Sequence, residues 1–592
     1  MAGGELISQL RKNFFGVICF KKSMQVDLAV TPLRRCLNLL DLTFLSIGSV
    51  IGAGIFVLAG GSIRNKAGPG IVLSFLVAGV PTVISALCFA EFGARVPKAG
   101  STYDFIYASL GEFWAALVGW YLVSAPVFTG AAISRTWAAY FDTMLDGWIA
   151  NRTMETVGMF DVPGMAPYPD FFAAGLVLLM SAVVASGAKC STLFNNIFAT
   201  IKLLVIGFII CYGLSFADGH NWTDASNGGF LPFGFSGVMA AAPTAFFAYS
   251  GFESACTAGE EAKNPVRDIV LAIGIAFAVS AGAYILLCTT LTLMIPYNQV
   301  APTSSFADAF DVRGAHWAKY VVAIGALSAL TNVLFGSIFP VPRHIYAMAS
   351  DGLIFRWLSV VNRRTQVPVR AIGLYCLITL IAMLLFDLDS LVEFLSMGGL
   401  LCHTLVSSSI IILRYRPRTH DPSSRIGRLK DRYAHTILEP MLERYAGGVV
   451  VTAAVSIQVI LMAACSAILV YAPWAQPTIA SFYVLMILLA ILVVVLIGTQ
   501  FLIRAFVQNE DEHLWFRVPL VPFLPSFGAF VNVLMILYLK PFTWLRFALY
   551  LFVGAIIYAV YGFRHSVHRI QQIHPTQNFP SYNACDNQNT KL

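Results

Sequence analysis

Charge is scarce in this chain. Only 12% of its 592 residues are Asp, Glu, Lys or Arg, against 58% hydrophobic, and the mean hydropathy is +0.74. That excludes an ordinary soluble domain, in which roughly a quarter of the residues are charged. The motifs of catalysis and nucleotide use are missing as well. There is no H-E-x-x-H, no G-x-x-x-x-G-K-[ST], no G-x-S-x-G between strand and helix, and no cluster of metal ligands. An enzyme, an ATP-driven pump, a cofactor and a metal centre are therefore not expected. The eleven cysteines lack a C-x-x-C pair and fall mostly inside apolar runs, where they read as small buried hydrophobes. The first thirty residues carry Arg11, Lys12, Lys21 and Lys22 without a clean apolar core, so no cleavable signal peptide is visible. The first span then serves as the insertion signal.

What the chain has in abundance is apolar runs of about 18 residues or more, the mark of a polytopic membrane protein. Fourteen spans are expected, at residues 42–60, 71–90, 113–140, 171–187, 193–214, 238–258, 269–295, 319–349, 372–386, 391–413, 447–470, 482–506, 518–539 and 544–561. An even number puts both termini on one side. The net charge of +7 could suggest nucleic acid, but its distribution argues for topology. With cytosolic termini, the great majority of the 38 Lys and Arg fall on inward segments, including a dense basic run after span ten. That run could bind anionic lipid or act only as a topological anchor. The sequons at Asn151 and Asn221 both fall on outward loops, where glycosylation is possible.

The first span contains Ser46-Ile47-Gly48-Ser49-Val50-Ile51-Gly52-Ala53-Gly54-Ile55-Phe56, with three glycines in a helix that must hold itself together in lipid. Opened there, it would offer bare N–H groups to a carboxylate at the positive end of the following half-helix. The alternative is that Gly48 and Gly52 only permit close helix packing. The sixth span is interrupted at its middle too, at Tyr249-Ser250-Gly251-Phe252-Glu253. Five spans separate the two breaks, so the halves insert with opposite orientation. Paired interruptions in inverted repeats point to a midplane substrate site.

Few ionisable residues lie inside spans. Glu253 either faces the cavity, meeting a cationic substrate or a proton, or caps the unwound segment. Lys202 stands alone in span five, far from either end. Desolvation disfavours the charged form of an amine, so it could couple transport to protons, or stand in for a metal ion, by holding and releasing carbonyls of span one. It could also be a permanently charged strut. Glu112 begins span three, where the helix dipole favours a carboxylate, and a transport role stays open. Glu260 and Glu261, with Lys263 and Arg267, read as an inward gate or a solvated helix end. Arg135 reads as an outward anchor. Tyr121 and Tyr249 line the cavity or face lipid.

With these residues in view, the chain resembles the cationic amino acid transporters of the amino acid–polyamine–organocation superfamily, from Cys36 to His568. The matching pieces are G-A-G-I-F-V-L-A-G (residues 52–60), A-E-F-G-A-R-V-P-K-A-G-S-T-Y (90–103), G-E-F-W (111–114), A-G-E-E-A-K-N-P (258–265) and G-S-I-F-P-V-P-R-H-I-Y-A-M-A-S-D-G-L-I-F-R (336–356). Near the C-terminus come F-R-V-P-L-V-P-F-L-P (516–525) and Y-G-F-R-H-S (561–566). The resemblance implies an all-α, leucine-transporter-like fold with 5+5 inverted repeats and four peripheral helices. On that plan residues 1–41 are a cytosolic segment and 42–414 a ten-helix core, with repeats at 42–214 and 238–414. A basic loop follows at 415–446, peripheral spans at 447–565 and a short cytosolic tail at 566–592. It implies that the substrate carboxylate meets N–H groups around Ile51, Gly52, Ala53, Gly54 and Ile55. The amino group meets carbonyls around Phe247, Ala248 and Tyr249, beside Gly251 and Glu253. Lys202 matches the lysine that proton-coupled bacterial relatives place where others bind sodium. Vertebrate members lack that lysine, carry Asp where this chain has Glu253, and differ at Ala125-Pro126. The expected function is secondary-active or facilitative transport of amino acids, cationic ones such as arginine and lysine, across the plasma membrane by alternating access, with a neutral or broad-specificity transporter, a non-transporting sensor or a channel as alternatives. Its partners would be the amino acid, protons and membrane lipid.

Overall fold

The computed structural model describes residues 37–96, 100–145, 147–158, 168–185, 191–224, 228–302, 304–338, 340–360, 369–385, 388–415, 447–471, 479–506 and 515–567. The basic loop, most of the N-terminal segment and nearly all of the tail lie outside the described residues. Within them there is no strand, only an isolated bridge between Leu37 and Ala262. The first span is two helices, α1 (Leu39–Val50) and α2 (Ala53–Ser62). There follow α3 (Ile71–Arg95), the short α4 (Thr102–Ser109), α5 (Glu112–Thr143), α6 (Phe171–Ala185) and α7 (Ser191–Gly213). The sixth span is again double, α8 (Gly234–Tyr249) and a single turn, α9 (Ser254–Thr257). The core continues through α10 (Pro265–Met294), α11 (His316–Ile338), α12 (Val341–Ser350), α13 (Val369–Leu385) and α14 (Leu388–Tyr415). Peripheral to it are α15 (Gly447–Tyr471), α16 (Ile479–Ala505), α17 (Phe523–Leu537) and α18 (Pro541–Ile557).

Ten candidate spans among the described residues are long and apolar enough to cross a membrane, and three further apolar helices are shorter. Length and composition thus account for ten of the fourteen expected crossings outright. The three shorter helices, α6, α13 and α17, coincide with expected spans. Side-chain exposure grades outward from the centre. In α14, 83% of the spanning window is buried, and in α16 only 11% is. Val484, Ile487, Ile491, Val494 and Phe501 of α16 all face outward. A water-facing surface of that kind would aggregate, whereas a hydrocarbon-facing one has no reason to hide.

The centre of the bundle is built around the broken helices. Helix α1 starts at a capping box in which Asn38 and Asp41 exchange side-chain-to-backbone hydrogen bonds of 3.0 and 3.1 Å. It packs on α7 and α10, while α8 packs on α2 and α3. Helix α11 lies against α5 and α7. The peripheral helices join the core chiefly through α14 and α17, and one buried carboxylate fixes that joint. Glu91, fully buried near the end of α3, accepts from Arg95 Nη2 at 2.8 Å, Arg414 Nε at 3.1 Å and the Val518 N–H at 2.7 Å. Arg414 also donates to the Val518 carbonyl at 2.8 Å.

Near the end of α5, Arg135 donates to the Met383 carbonyl at 3.1 Å, tying α5 to the end of α13. The two sequons differ. Asn151 is exposed, whereas the Asn221 Nδ2, the atom a glycan would occupy, donates to the Leu293 carbonyl at 2.7 Å. Removing one member of a buried ion pair leaves the other charge uncompensated, at a cost of about 3–5 kcal/mol. Glu91→Gln is therefore expected to lower the thermal melting midpoint of the detergent-purified chain substantially. An unchanged melting curve would show that Glu91 does not hold the peripheral helices to the core.

Candidate functional site

Both breaks follow from backbone conformations that favour glycine. After α1, Ile51 turns extended and Gly52 takes φ 142°, a region closed to side-chain-bearing residues. After α8, Ser250 turns extended and Gly251 takes φ 123°. The two breaks touch. A Cβ on Gly54 would lie 2.2 Å from the Ala248 Cα, and one on Gly251 would lie 2.8 Å from the Ser49 carbonyl. No side chain could separate these segments without moving backbone.

Carbonyls freed by the breaks need donors, since lipid supplies none. Lys202, fully buried on α7, donates from Nζ to Gly48 O and Ile51 O, each at 2.7 Å. On another side, the buried Tyr284 hydroxyl of α10 stands 2.7 Å from Val50 O and 2.8 Å from Ala248 O, so one proton bridges the two broken spans. Nothing in the sequence distinguishes Tyr284 from other span tyrosines.

A cavity of about 160 Å³ opens beside the breaks. Of the residues expected to bind substrate, Gly54, Phe247, Gly251 and Glu253 line it. Ile51 and Ile55 are buried in core packing instead, and Gly52 is packed against Val333 and the Ala329 carbonyl. Ala53 begins α2. The Ala248 carbonyl is engaged by Tyr284, and the Tyr249 hydroxyl donates to Phe75 O at 3.2 Å, away from the cavity. Lys202 sits behind the break rather than in the cavity, whereas Tyr121 lines it and donates to Leu395 O at 3.0 Å.

Glu253 caps the break and borders the cavity. Its Oε2 accepts the Gly251 N–H at 2.9 Å, capping the unwound segment, and its side chain lines the cavity. Among the described residues no cationic side chain pairs with it. On its span-three side the cavity is lined by the apolar Leu122, Ala125 and Pro126 together with Tyr121 and Thr129. Two imidazoles, His344 and His403, also line the cavity. Their signal was available in the sequence, because an ionisable ring inside an apolar span is uncommon.

Glu112 lies outside the cavity. It is buried and accepts hydroxyl protons from Tyr107 (2.8 Å), Tyr558 (2.9 Å) and Ser566 (2.6 Å), tying α4 to the last span and the chain beyond it. Glu261 pairs with Arg343 of α12, while its carbonyl accepts from Leu37 N at 3.0 Å. The end of span six is thereby joined to both span eight and the segment entering span one. The side chain of Glu260 lies outside the described residues.

Residues 37–497 match the family described as amino acid permease, and residues 516–566 match the C-terminus of that permease. The chain is 41% identical over 573 residues to a Homo sapiens protein named cationic amino acid transporter 4, covering 92% of this chain and 90% of that one. The Mus musculus protein of the same name is 40% identical, with the same coverage. An Arabidopsis thaliana protein named cationic amino acid transporter 4, vacuolar, is 31% identical over 90% of this chain and 93% of its own length.

The contact between the breaks makes a specific prediction. Gly54→Ala forces a methyl group onto Ala248 backbone and is expected to cost about 1–3 kcal/mol, lowering the melting midpoint in detergent. Gly274→Ala, where the added methyl meets nothing within 4 Å, is expected to leave it level or raise it. Equal behaviour of the two variants would contradict the close approach of the broken helices.

Proposed function

Because the chain belongs to the amino acid permease family, we propose that it carries amino acids with cationic side chains, arginine or lysine, across a membrane by alternating access. The observation that supports this reading is Glu253. A carboxylate in a cavity between two helix breaks, with no cationic partner among the described residues, lacks the counter-charge that burial demands. A guanidinium or ammonium supplies it. The substrate's own carboxylate is received by the N–H end of α2 near Gly54, where the dipole is favourable. The relatives' names speak of cationic substrates. The two broken spans head inverted repeats at 42–214 and 238–414, the cavity opens alternately to either side, and both termini are cytosolic. The membrane is the plasma membrane, although a relative is named vacuolar.

Lys202 couples this movement to protons. Both of its contacts are to neutral carbonyls of the opened span one, so it is the charge on the amine that makes them strong. Losing a proton weakens the tie between α7 and α1, and regaining it restores the tie. A second reading, preference for neutral amino acids, is favoured by the apolar side chains of Leu122, Ala125 and Pro126 on the span-three side of the cavity.

Uptake into proteoliposomes tests these points. Saturable arginine uptake, displaced by lysine and not by glutamate, is expected. Glu253→Gln is expected to raise the arginine KM about ten-fold or more, as for loss of a charged hydrogen-bond partner. Leucine uptake without arginine uptake would replace this reading by the neutral one. An inward proton gradient is expected to accelerate uptake by the unmodified chain and to have no effect on Lys202→Met. Arginine uptake indifferent to the gradient in the unmodified chain would remove proton coupling.

A further inference from the structure

One group in the cavity has no task in anything described so far. His403 of α14 is 4% exposed and lines the cavity beside Cys402. Its ring is set among Phe89, Phe246 and Phe252, at centroid separations of 5.3, 4.9 and 5.5 Å and steep interplanar angles. Nδ1 is buried without a hydrogen-bond partner, which leaves the other ring nitrogen as the edge available to the cavity. A phenyl ring would fill the same seat without burying unpaired nitrogen, so packing does not account for an imidazole here.

Glu253 faces the same space. Tyr121 and Cys402 line that space with it, and Cys402 is the chain neighbour of His403. Phe252, against which the His403 ring lies, is the chain neighbour of Glu253. Backbone N–H groups of Gly251 and of Glu253 itself take up part of the Glu253 carboxylate, leaving at most one oxygen for a ligand. A guanidinium carries five N–H donors and an ammonium three. One free carboxylate oxygen cannot receive them all, and a second carboxylate would overcompensate the charge. A neutral acceptor close by is what the remaining donors require. An unprotonated imidazole is such an acceptor, with its lone pair on one ring nitrogen.

We propose that His403 is a specificity-determining residue: its unprotonated ring accepts an N–H from the guanidinium or ammonium end of the substrate side chain, while Glu253 balances the charge. This deepens the transport reading above and rests on it. Discrimination follows from what a competitor leaves undone. An aliphatic side chain in the same place leaves both the carboxylate oxygen and the ring nitrogen unpaired, and sites built around hydrogen-bonding partners reject such analogues far more strongly than apolar sites reject a missing methylene. His344, also in the cavity, lies on α12 beside the Glu261–Arg343 pair. That position, next to a cation, suits it less well to receive another.

The test uses the purified full-length chain in proteoliposomes, comparing the arginine KM with the inhibition constant of leucine. His403→Phe keeps the aromatic packing and removes both nitrogens, whereas His403→Gln restores an acceptor. The ratio of the arginine constant to the leucine constant is expected to rise about ten-fold in His403→Phe, the effect of losing one hydrogen bond to a charged group. It is expected to return most of the way in His403→Gln. A ratio unmoved in His403→Phe, with both constants changing together, would mean a purely structural ring and overturn the proposal. The unmodified chain gives a second readout. Nε-trimethyl-lysine keeps the positive charge and has no side-chain N–H, so it is expected to compete with labelled arginine much less well than lysine. Equal competition would also overturn the proposal. A wild-type chain that takes up leucine and not arginine would sink the cationic reading and this inference with it. Arginine uptake with an unmoved ratio would sink the role of His403 alone.

Discussion

Peptide groups inside a membrane must be hydrogen-bonded by the protein itself, and this chain leaves its helical ladder open in two places. Everything central in the structure answers that constraint. Gly52 and Gly251 adopt backbone conformations that release carbonyls and N–H groups. Lys202 and Tyr284 then supply donors to four of the carbonyls from helices that are themselves continuous through the site. Glu253 supplies an acceptor for one of the N–H groups. The cavity exists beside these contacts because the broken segments press together at Gly54 and Ala248 and cannot fill the space around them.

The partners differ in kind. The Lys202 ammonium can serve two carbonyls at once, having three protons to give. The Tyr284 hydroxyl has one proton and two carbonyls within reach, one from each broken span. The lysine holds α1 to α7, and the tyrosine holds α1 to α8 through α10. Shifting span one against its neighbours therefore means rearranging a small set of polar contacts.

Away from the site, buried carboxylates act as fasteners. Glu91 joins α3, α14 and the segment before α17. Glu112 gathers three hydroxyl groups, from the stretch before span three, from the last span and from the chain just beyond it. The sequence pieces A-E-F-G-A-R and G-E-F-W, each carrying one of these acids, are thus explained by joints between helices rather than by contact with the cavity. The expectation for Glu112 of a first-turn carboxylate holds in position, since it opens α5, but its partners are hydroxyls brought from far along the chain.

The sequence by itself determined the membrane environment, the run of helices, the two interruptions and the lone buried lysine. These depend on local quantities: apolar length, glycine in a helix that cannot borrow water, and an ammonium too far from either surface to reach it. Tertiary structure alone decided which groups meet at the breaks. Tyr284 lies 234 residues from Val50 and 36 from Ala248, and no pattern along the chain marks that meeting. Tyr249 and Ile55 were equally plausible cavity residues by position. They turn into the core because a helix rotates by about 100° per residue, and only packing against neighbouring helices sets which way each face looks. His403 stands out in the sequence as an ionisable ring in an apolar run, but only the packing of α14 sets it against Phe89, Phe246 and Phe252 at the edge of the cavity.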